Sequence, residues 1–483
     1  MLSPGLRGAA ILNAVAVFQI ILRLFVFVWL SRLLVPEEFG LAAIAITIVL
    51  MAGALNDAGM SSVLVRRSRP ARTLTLTVFW TQAGLGIVLA ALVAVLSVPL
   101  GWAFGRPDVV ALILLATPGL VASGISTVPW ALLQRDQRFG AIAVSDTVTT
   151  ALGVAVAGGL ATAGAGAYAA LSLFVVPMVA RGVLLLIVSG LRPRFRFSAR
   201  ALRSILPYSL NLLGEQLLGM ASQQLDRALI GLRLGAPPLG VYHQAGQIFV
   251  IPLQVLAWGT RAALYPGFAQ QKDDPARLAQ SYLRSTGMFV AVLFPVYVGI
   301  AFVADPMLRL LLGPEASQTW AEVAPVLSIL CLGGLALSAG NFNSIVLQSL
   351  GLSRYMFTNA ALSIVLLAVG LGVGLAWGIQ GAAAGVAIAT TLSNGALSLR
   401  VAQVLDVKGR VLLGTLGGPL TATAAMALVL WGVSPWLPVQ PLLGLIAQAA
   451  LGALVYTAAL LVAAPQLCWQ MVRAGRPLTD RDQ

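Results

Sequence analysis

The chain is short of nearly everything a water-soluble enzyme uses. Its 483 residues include one histidine, two cysteines and 16 acidic side chains, and charged residues make up only 10% of the total. A lone His243 cannot assemble a zinc-hydrolase ligand set or a convincing Ser-His-Asp triad, and no Gly-Lys-Ser/Thr sequence is present to cradle a nucleotide phosphate. Cys331 and Cys468 fall in or beside apolar segments without metal-ligand or disulfide spacing, so both are expected as free thiols. No polar stretch is long enough to make a soluble domain. These absences point away from an enzyme and from any cofactor. Work done by such a chain is driven by an ion gradient, a membrane potential or the gradient of a substrate, and the function expected is movement.

Hydrocarbon is what the chain has in plenty. Hydrophobic residues make up 59%, and the mean hydropathy of +0.92 exceeds what a water-facing globule of this length carries. A helix crossing a bilayer needs about 20 apolar residues, because the hydrocarbon is roughly 30 Å thick and each residue rises about 1.5 Å. The apolar runs predict spans over 8–34, 40–65, 73–101, 109–133, 139–163 and 165–190, then 204–232, 240–269, 286–304, 322–349, 356–377 and 380–402, and finally 411–433 and 441–464. They are continuous, without the alternation of an outer-membrane barrel strand. The first is too long for a signal-peptide core and lacks a small-residue cleavage pattern, so it is expected to be retained. The fold class expected is an all-α integral membrane protein of 14 transmembrane helices.

Orientation follows from lysine and arginine alone. Arg66-Arg67-Ser68-Arg69-Pro70-Ala71-Arg72 places four arginines and no acid between two spans. With the N-terminus inside, 21 of the 30 basic residues fall in inside loops and tails, and only Arg32, Arg106, Arg233 and Arg309 fall outside. Both termini are therefore expected in the cytoplasm. The net charge of +14 is spread over loops of one membrane face and matches no RNA- or DNA-binding module, so a nucleic-acid partner is not expected.

A faint duplication organises the spans. Leu33-Leu34-Val35-Pro36-Glu37-Glu38-Phe39-Gly40-Leu41 lies 200 residues ahead of Arg233-Leu234-Gly235-Ala236-Pro237-Pro238-Leu239-Gly240-Val241, each a short turn between a long first span and a second. Leu133-Gln134 before Arg138-Phe139 is echoed by Leu347-Gln348 before Arg354-Tyr355. The division expected is an N-terminal lobe of six spans at 1–191, a basic cytoplasmic linker at 192–203, a C-terminal lobe of six spans at 204–405, and an appended span pair with a cytoplasmic tail at 406–483. The two six-span lobes are expected to be pseudo-symmetric about an axis along the membrane normal.

Polar residues aligned on one helical face suggest a water-filled or partner-lined surface, because lipid exposure of such groups is costly. Tyr208, Asn211, Glu215, Ser222 and Asp226 fall within an arc of about 60° on span seven, and His243, Gln247, Gln254, Trp258 and Arg261 do so on span eight. Span one carries Gln19 and Arg23, span two Gly53, Asp57 and Ser61, and span ten Asn341, Ser344 and Gln348. These stripes most simply line one cavity between the lobes. The competing reading is that the serines, asparagines and glutamines hydrogen-bond helix to helix. Asp226 and Arg227 read as a local charge pair, His243 as a hydrogen-bonding wall residue with a proton switch as the alternative, and Arg181 and Arg284 as snorkelling toward cytoplasmic phosphates.

Three stretches carry a family resemblance. They are Ser31-Arg32-Leu33-Leu34-Val35-Pro36-Glu37-Glu38-Phe39-Gly40, Asn56-Asp57-Ala58-Gly59-Met60-Ser61-Ser62 leading into Arg66-Arg67, and Leu239-Gly240-Val241-Tyr242 after Asp226-Arg227. With the topology, they make the chain resemble the polysaccharide-transport branch of the multidrug/oligosaccharidyl-lipid/polysaccharide exporter superfamily, the Wzx-type flippases, and within it the colanic-acid-exporter-like subgroup. The resemblance implies a V-shaped bundle that alternates access. Its cargo would be an undecaprenyl-diphosphate-linked oligosaccharide, flipped between leaflets of the bacterial inner membrane. Arg23 and Arg261, one in each lobe, suit the diphosphate. Asn211, Gln247, Gln254 and Asn341 suit sugar hydroxyls, and Trp258 offers a stacking surface. Glu215 or Asp57 either carries a coupling proton or sodium ion or holds an arginine in place. Expected partners are the lipid-linked glycan, membrane lipids and polysaccharide polymerase machinery. A cation-exporting multidrug antiporter of the same fold would have a net acidic cavity, whereas Arg23, Arg227 and Arg261 here balance Asp57, Glu215 and Asp226. A peptidoglycan-precursor flippase would differ only in its cargo sugar.

Overall fold

The computed structural model describes residues 25–57, 72–436 and 441–474, with positions 18, 19, 22, 60 and 64. The side chains of 57, 207–217, 257–259, 261–263, 265, 266, 353, 435, 441 and 471–474 lie outside that description. Every described element is a helix. In hydrocarbon no water satisfies a backbone N–H or C=O, so a long apolar run must pair its own peptide groups.

The chain divides into two compact units, Met1–Gln244 and Ala245–Gln483. The first holds α1 (Pro36–Asp57), α2 (Arg72–Ala103), α3 (Asp108–Arg135), α4 (Phe139–Thr162), α5 (Ala167–Ser189), α6 (Ala199–Leu234) and the start of α7 (Ala236–Phe249). The second continues with α8 (Ile251–Gln270), α9 (Pro275–Leu312), α10 (Pro314–Thr319), α11 (Val323–Ala339), α12 (Asn343–Ser349), α13 (Ser353–Gly374), α14 (Gly378–Val404), α15 (Gly409–Val433), α16 (Pro441–Ala463) and α17 (Pro465–Ala474).

Among the described residues, ten helical stretches are long and apolar enough to cross a membrane, one of them the continuous run Arg354–Val404 that covers both α13 and α14. Helices α6, α7 and α8 do not meet that measure: α7 is only 14 residues long, α6 and α8 carry the polar residues of spans seven and eight, and most of span one is outside the description. Many outward side chains are large and apolar. Val95, Ile187, Leu454 and Val462 are each more than two thirds exposed, a distribution that suits lipid as the solvent. Trp102, Trp377, Trp431 and Trp436 stand exposed at or near helix ends, where an amphipathic ring favours the headgroup level.

Several boundaries differ from the sequence expectation for identifiable reasons. Span nine, expected over 286–304, runs as α9 from Pro275 to Leu312, because its first turns carry Arg277, Gln280 and Arg284 and fall outside an apolar window although they remain helical. Asp274 caps it by accepting the Arg277 N–H at 3.0 Å, with Pro275 in the first turn. Span eight is interrupted at Val250, where Pro252 has no N–H to give Ile248. Span ten breaks between Gly340 and Phe342.

In the first unit, Met60, Leu64, Leu74, Val78, Phe79, Val128, Ala131 and Ile205 form one buried cluster that ties α2, α3 and α6 together. The segment before α6 is laid along α2. Trp80 Nε1 donates to the Arg194 carbonyl at 3.1 Å, its ring packs at a tilt against Phe195 with centroids 5.4 Å apart, and the Ser198 N–H donates to Thr77 Oγ1 at 3.1 Å. Ser198 then caps α6 by accepting the Ala201 N–H. In the second unit, α15 and α16 pack on α9 through Ala291, Ala422, Met426, Leu430, Tyr456 and Leu460. Cys331 and Cys468 are free thiols, as expected.

Candidate functional site

The start of α1 is pinned by the two glutamates of the Pro36-Glu37-Glu38 stretch. Glu37 pairs with Arg106 at 2.5 Å, and Arg106 lies 3.8 Å from Asp108 at the head of α3. Glu38 turns back to accept the Val35 N–H at 2.9 Å, which satisfies a free donor of the first turn. One residue before the end of α1, Asn56 is buried and donates to the Leu120 carbonyl at 2.9 Å and to Ser123 Oγ at 2.5 Å. The Asn56 side chain is therefore committed to holding α1 on α3.

A polar knot joins α6 to α7 within the first unit. Tyr242 Oη donates to Asp226 Oδ2 at 2.6 Å, and the other carboxylate oxygen accepts the backbone N–H of Arg227 at 2.8 Å. Arg227 and Asp226, expected as a local charge pair, do not join side chain to side chain. The guanidinium turns instead along its own helix and donates from Nη1 to Gln224 Oε1 at 3.1 Å. Adjacent residues on a helix point about 100° apart, and the three-residue reach to Gln224 is the shorter one. His243 sits half-buried beside Tyr242 on α7.

A second charged feature was not anticipated as a pair. Arg181 on α5 donates from Nε to Asp146 Oδ1 on α4 at 2.6 Å, with 35% and 29% of the two side chains exposed. Arg181, expected to snorkel toward cytoplasmic phosphates, is met here by a carboxylate 35 positions away in the chain.

In the second unit the break in span ten carries the chemistry. Asn341 lies in the break, so it shares no continuous helical face with Ser344 and Gln348, which stay on α12. Two residues on, buried Asn343 accepts from Tyr282 Oη at 2.8 Å and donates from Nδ2 to Ser398 Oγ at 2.8 Å. Gln247 is exposed on α7 and Gln254 half-buried on α8. Facing outward, Ile329, Leu332, Gly333, Ala384, Ala387, Ile388, Thr391 and Leu392 line an apolar groove of about 270 Å³ between α11 and α14.

Of the expected site residues, Arg23 lies outside the described residues. Asp57, Asn211, Glu215, Trp258 and Arg261 lie on described helices, with their side chains outside the description. The structure brings Asp226 and Arg227 together with Tyr242 and Gln224. Asp146, Asn343 and Tyr282 were missed, since each is a single polar residue in an apolar run whose partner is set by helix packing. Among the described residues no group of three His, Cys, Asp or Glu side chains is placed to hold a metal ion.

Residues 29–325 match a protein family described as polysaccharide biosynthesis protein. The succinoglycan biosynthesis transport protein ExoT of Rhizobium meliloti (strain 1021) is 29% identical over 63% of this chain and 60% of its own length. The lipopolysaccharide biosynthesis protein WzxC of Escherichia coli (strain K12) is 26% identical over 65% of this chain and 63% of its own. In both cases the chain spans less than two thirds of the relative. In three dimensions the chain resembles the lipid II flippase MurJ in an inward closed conformation, with a TM-score of 0.75 over 95% of this chain and 100% of that one at 16% identity, a likeness of fold. The chain belongs to the polysaccharide biosynthesis protein family and is a multi-pass protein of the bacterial inner membrane.

Proposed function

We propose that the protein flips an undecaprenyl-diphosphate-linked oligosaccharide from the cytoplasmic to the periplasmic leaflet, for surface or exopolysaccharide synthesis, by alternating access of two lobes of six helices. The observation that carries this reading is the pairing of a polysaccharide biosynthesis family match with a fold like that of a lipid II flippase. A diphosphate crossing low dielectric needs guanidinium partners, and Arg23 and Arg261 supply one from each repeat. Asn211, Gln247, Gln254 and Asn341 offer hydroxyl partners to the glycan, and Trp258 a stacking face. Asp226 and Arg227, with His243 beside them, complete a wall of near-zero net charge. That balance suits an anionic cargo already charge-matched by arginine, and it disfavours a cation antiporter.

The likeness to a lipid II flippase favours a peptidoglycan precursor as the second reading of cargo. The deciding experiment is surface-polysaccharide export in a strain that depends on this protein. Arg23→Ala and Arg261→Ala are each expected to abolish export at unchanged membrane abundance, and normal export by both variants overturns the diphosphate reading. Flipping of lipid II in proteoliposomes, with no flipping of glycans bearing other sugars, selects the second cargo.

A further inference from the structure

The Asp146–Arg181 pair lies in the seam between α4 and α5, away from the lipid faces of both helices. On α4 the residues given to lipid are Val144, Val148 and Leu152, whereas Asp146 stands seven residues before Gly153, where the helix packs against Pro177 of α5. Seven residues are nearly two turns, so Asp146 and Gly153 share one face. Arg181 follows Pro177 by one turn, and Val183 and Ile187 carry the lipid face of α5. Yet about a third of each side chain in the pair stays exposed. The seam is therefore open to a small polar group at the charged pair.

Depth adds a second point. Asp146 stands seven residues inside the start of α4 and Arg181 eight residues inside the end of α5, roughly 10–12 Å from those helix ends. The loops at those ends carry Arg135, Arg138, Arg192 and Arg194, the cytoplasmic side by the distribution of basic residues. Exposed Arg138 reaches along the same seam to donate to the Val188 carbonyl at 3.3 Å. An anion arriving from the cytoplasmic headgroup layer thus meets Arg138 at the rim and Arg181 deeper along the same helix seam.

We propose that Arg181 is a phosphate-binding residue held in reserve by Asp146: the diphosphate of the lipid-linked cargo displaces the carboxylate, and the carboxylate reclaims the guanidinium to release the cargo. The inference rests on the proposed lipid-diphosphate cargo. A paired guanidinium costs less to keep inside the membrane than an unpaired one while no cargo is present, and a competing carboxylate weakens its hold on a phosphate so that the cargo can leave. A carboxylate and a phosphate compete for the same planar fork of donors, so the exchange replaces one charge-assisted hydrogen bond with another.

The test measures binding of undecaprenyl diphosphate to the purified full-length protein in nanodiscs, with inorganic pyrophosphate as a headgroup-only probe. Arg181→Ala is expected to weaken undecaprenyl diphosphate binding about ten-fold. Asp146→Asn, which removes the competitor, is expected to tighten it about ten-fold and to slow flipping in proteoliposomes. A helix staple would give no such opposition of sign, so Asp146→Asn with unchanged or weakened binding overturns the proposal. Asp146→Asn/Arg181→Gln leaves two amides that can bridge the helices with no buried charge. It is expected to fold and to bind ten-fold more weakly than the wild type, and wild-type binding by it also overturns the proposal. Wild-type protein that binds neither probe refutes the lipid-diphosphate function itself, and with it this role. Pyrophosphate binding that follows the same pattern places recognition in the headgroup, while a pattern confined to the lipid form overturns the phosphate exchange.

Discussion

Gly40 on α1 and Gly240 on α7 lie 200 positions apart in the chain and cross so closely that each meets the other helix's backbone. A Cβ on Gly40 would run into the carbonyl of Ala236, and a Cβ on Gly240 into the carbonyl of Pro36. The relation is reciprocal, with Pro36 and Ala236 each four residues ahead of its glycine. Backbone contact of this kind is open only to glycine. Gly40→Ala and Gly240→Ala are therefore each expected to force α1 and α7 apart and lower export at least ten-fold. Gly246→Ala on α7, where an added methyl meets nothing, is expected to leave export unchanged. Equal export by all three variants would show that the close crossing is not needed for transport.

The break in span ten is held by one side chain. Asn343 accepts from Tyr282 and donates to Ser398, so its amide fixes α12 against α9 and α14 at once. Removing a buried group that satisfies two others costs about 1–3 kcal/mol for each partner left unpaired. Asn343→Ala is expected to lower stability by about 2–5 kcal/mol in a denaturant titration of the purified protein, whereas Tyr282→Phe, which removes only one of the two bonds, should cost about 1–2 kcal/mol. A smaller loss for Asn343→Ala than for Tyr282→Phe would contradict this account.

The all-helical class and the lipid-facing exteriors were legible in the sequence because both follow from composition and length. The turn at Pro36-Glu37-Glu38 was legible as a turn, but the partner of Glu37 was not, since Arg106 comes to it through the packing of α2 and α3. Arg181 shows the limit most clearly. Periodicity gives the face a residue occupies on its own helix, and says nothing of which helix lies opposite, so a carboxylate 35 residues away stayed invisible. Span nine was cut short for a different reason: a hydropathy window stops where charge begins, while a helix continues as long as its backbone bonds do.

Asp226 already has both carboxylate oxygens engaged by Tyr242 and the Arg227 backbone, which leaves it poorly suited to exchange an ion in each cycle. Asp57 and Glu215 are the acids left for that role. In proteoliposomes with imposed proton, sodium and electrical gradients, Glu215→Gln or Asp57→Asn is expected to abolish the dependence of flipping on one gradient. Unaltered dependence in both variants would remove them as carriers of the coupling ion and leave them as partners of an arginine.

The attachment of the last two long helices rests on a proline. Pro295 in α9 has no N–H, so the carbonyl of Ala291 one turn earlier loses its helical partner. Tyr456 on α16 fills the gap, with its hydroxyl donating to that oxygen at 2.6 Å. Tyr456→Phe keeps the ring and its packing in the cluster around Met426 and Leu430 but orphans the carbonyl in an apolar setting, at an expected cost of about 1–3 kcal/mol. Tyr297 provides the contrast, because its buried hydroxyl has no hydrogen-bond partner among the described residues. Tyr297→Phe removes an unsatisfied group and is expected to be neutral or stabilising by up to about 1 kcal/mol. Both variants lose the same atom from the same residue type on helices of one unit, so a denaturant titration that ranks them in the opposite order would show that the proline-freed carbonyl is not what Tyr456 stabilises.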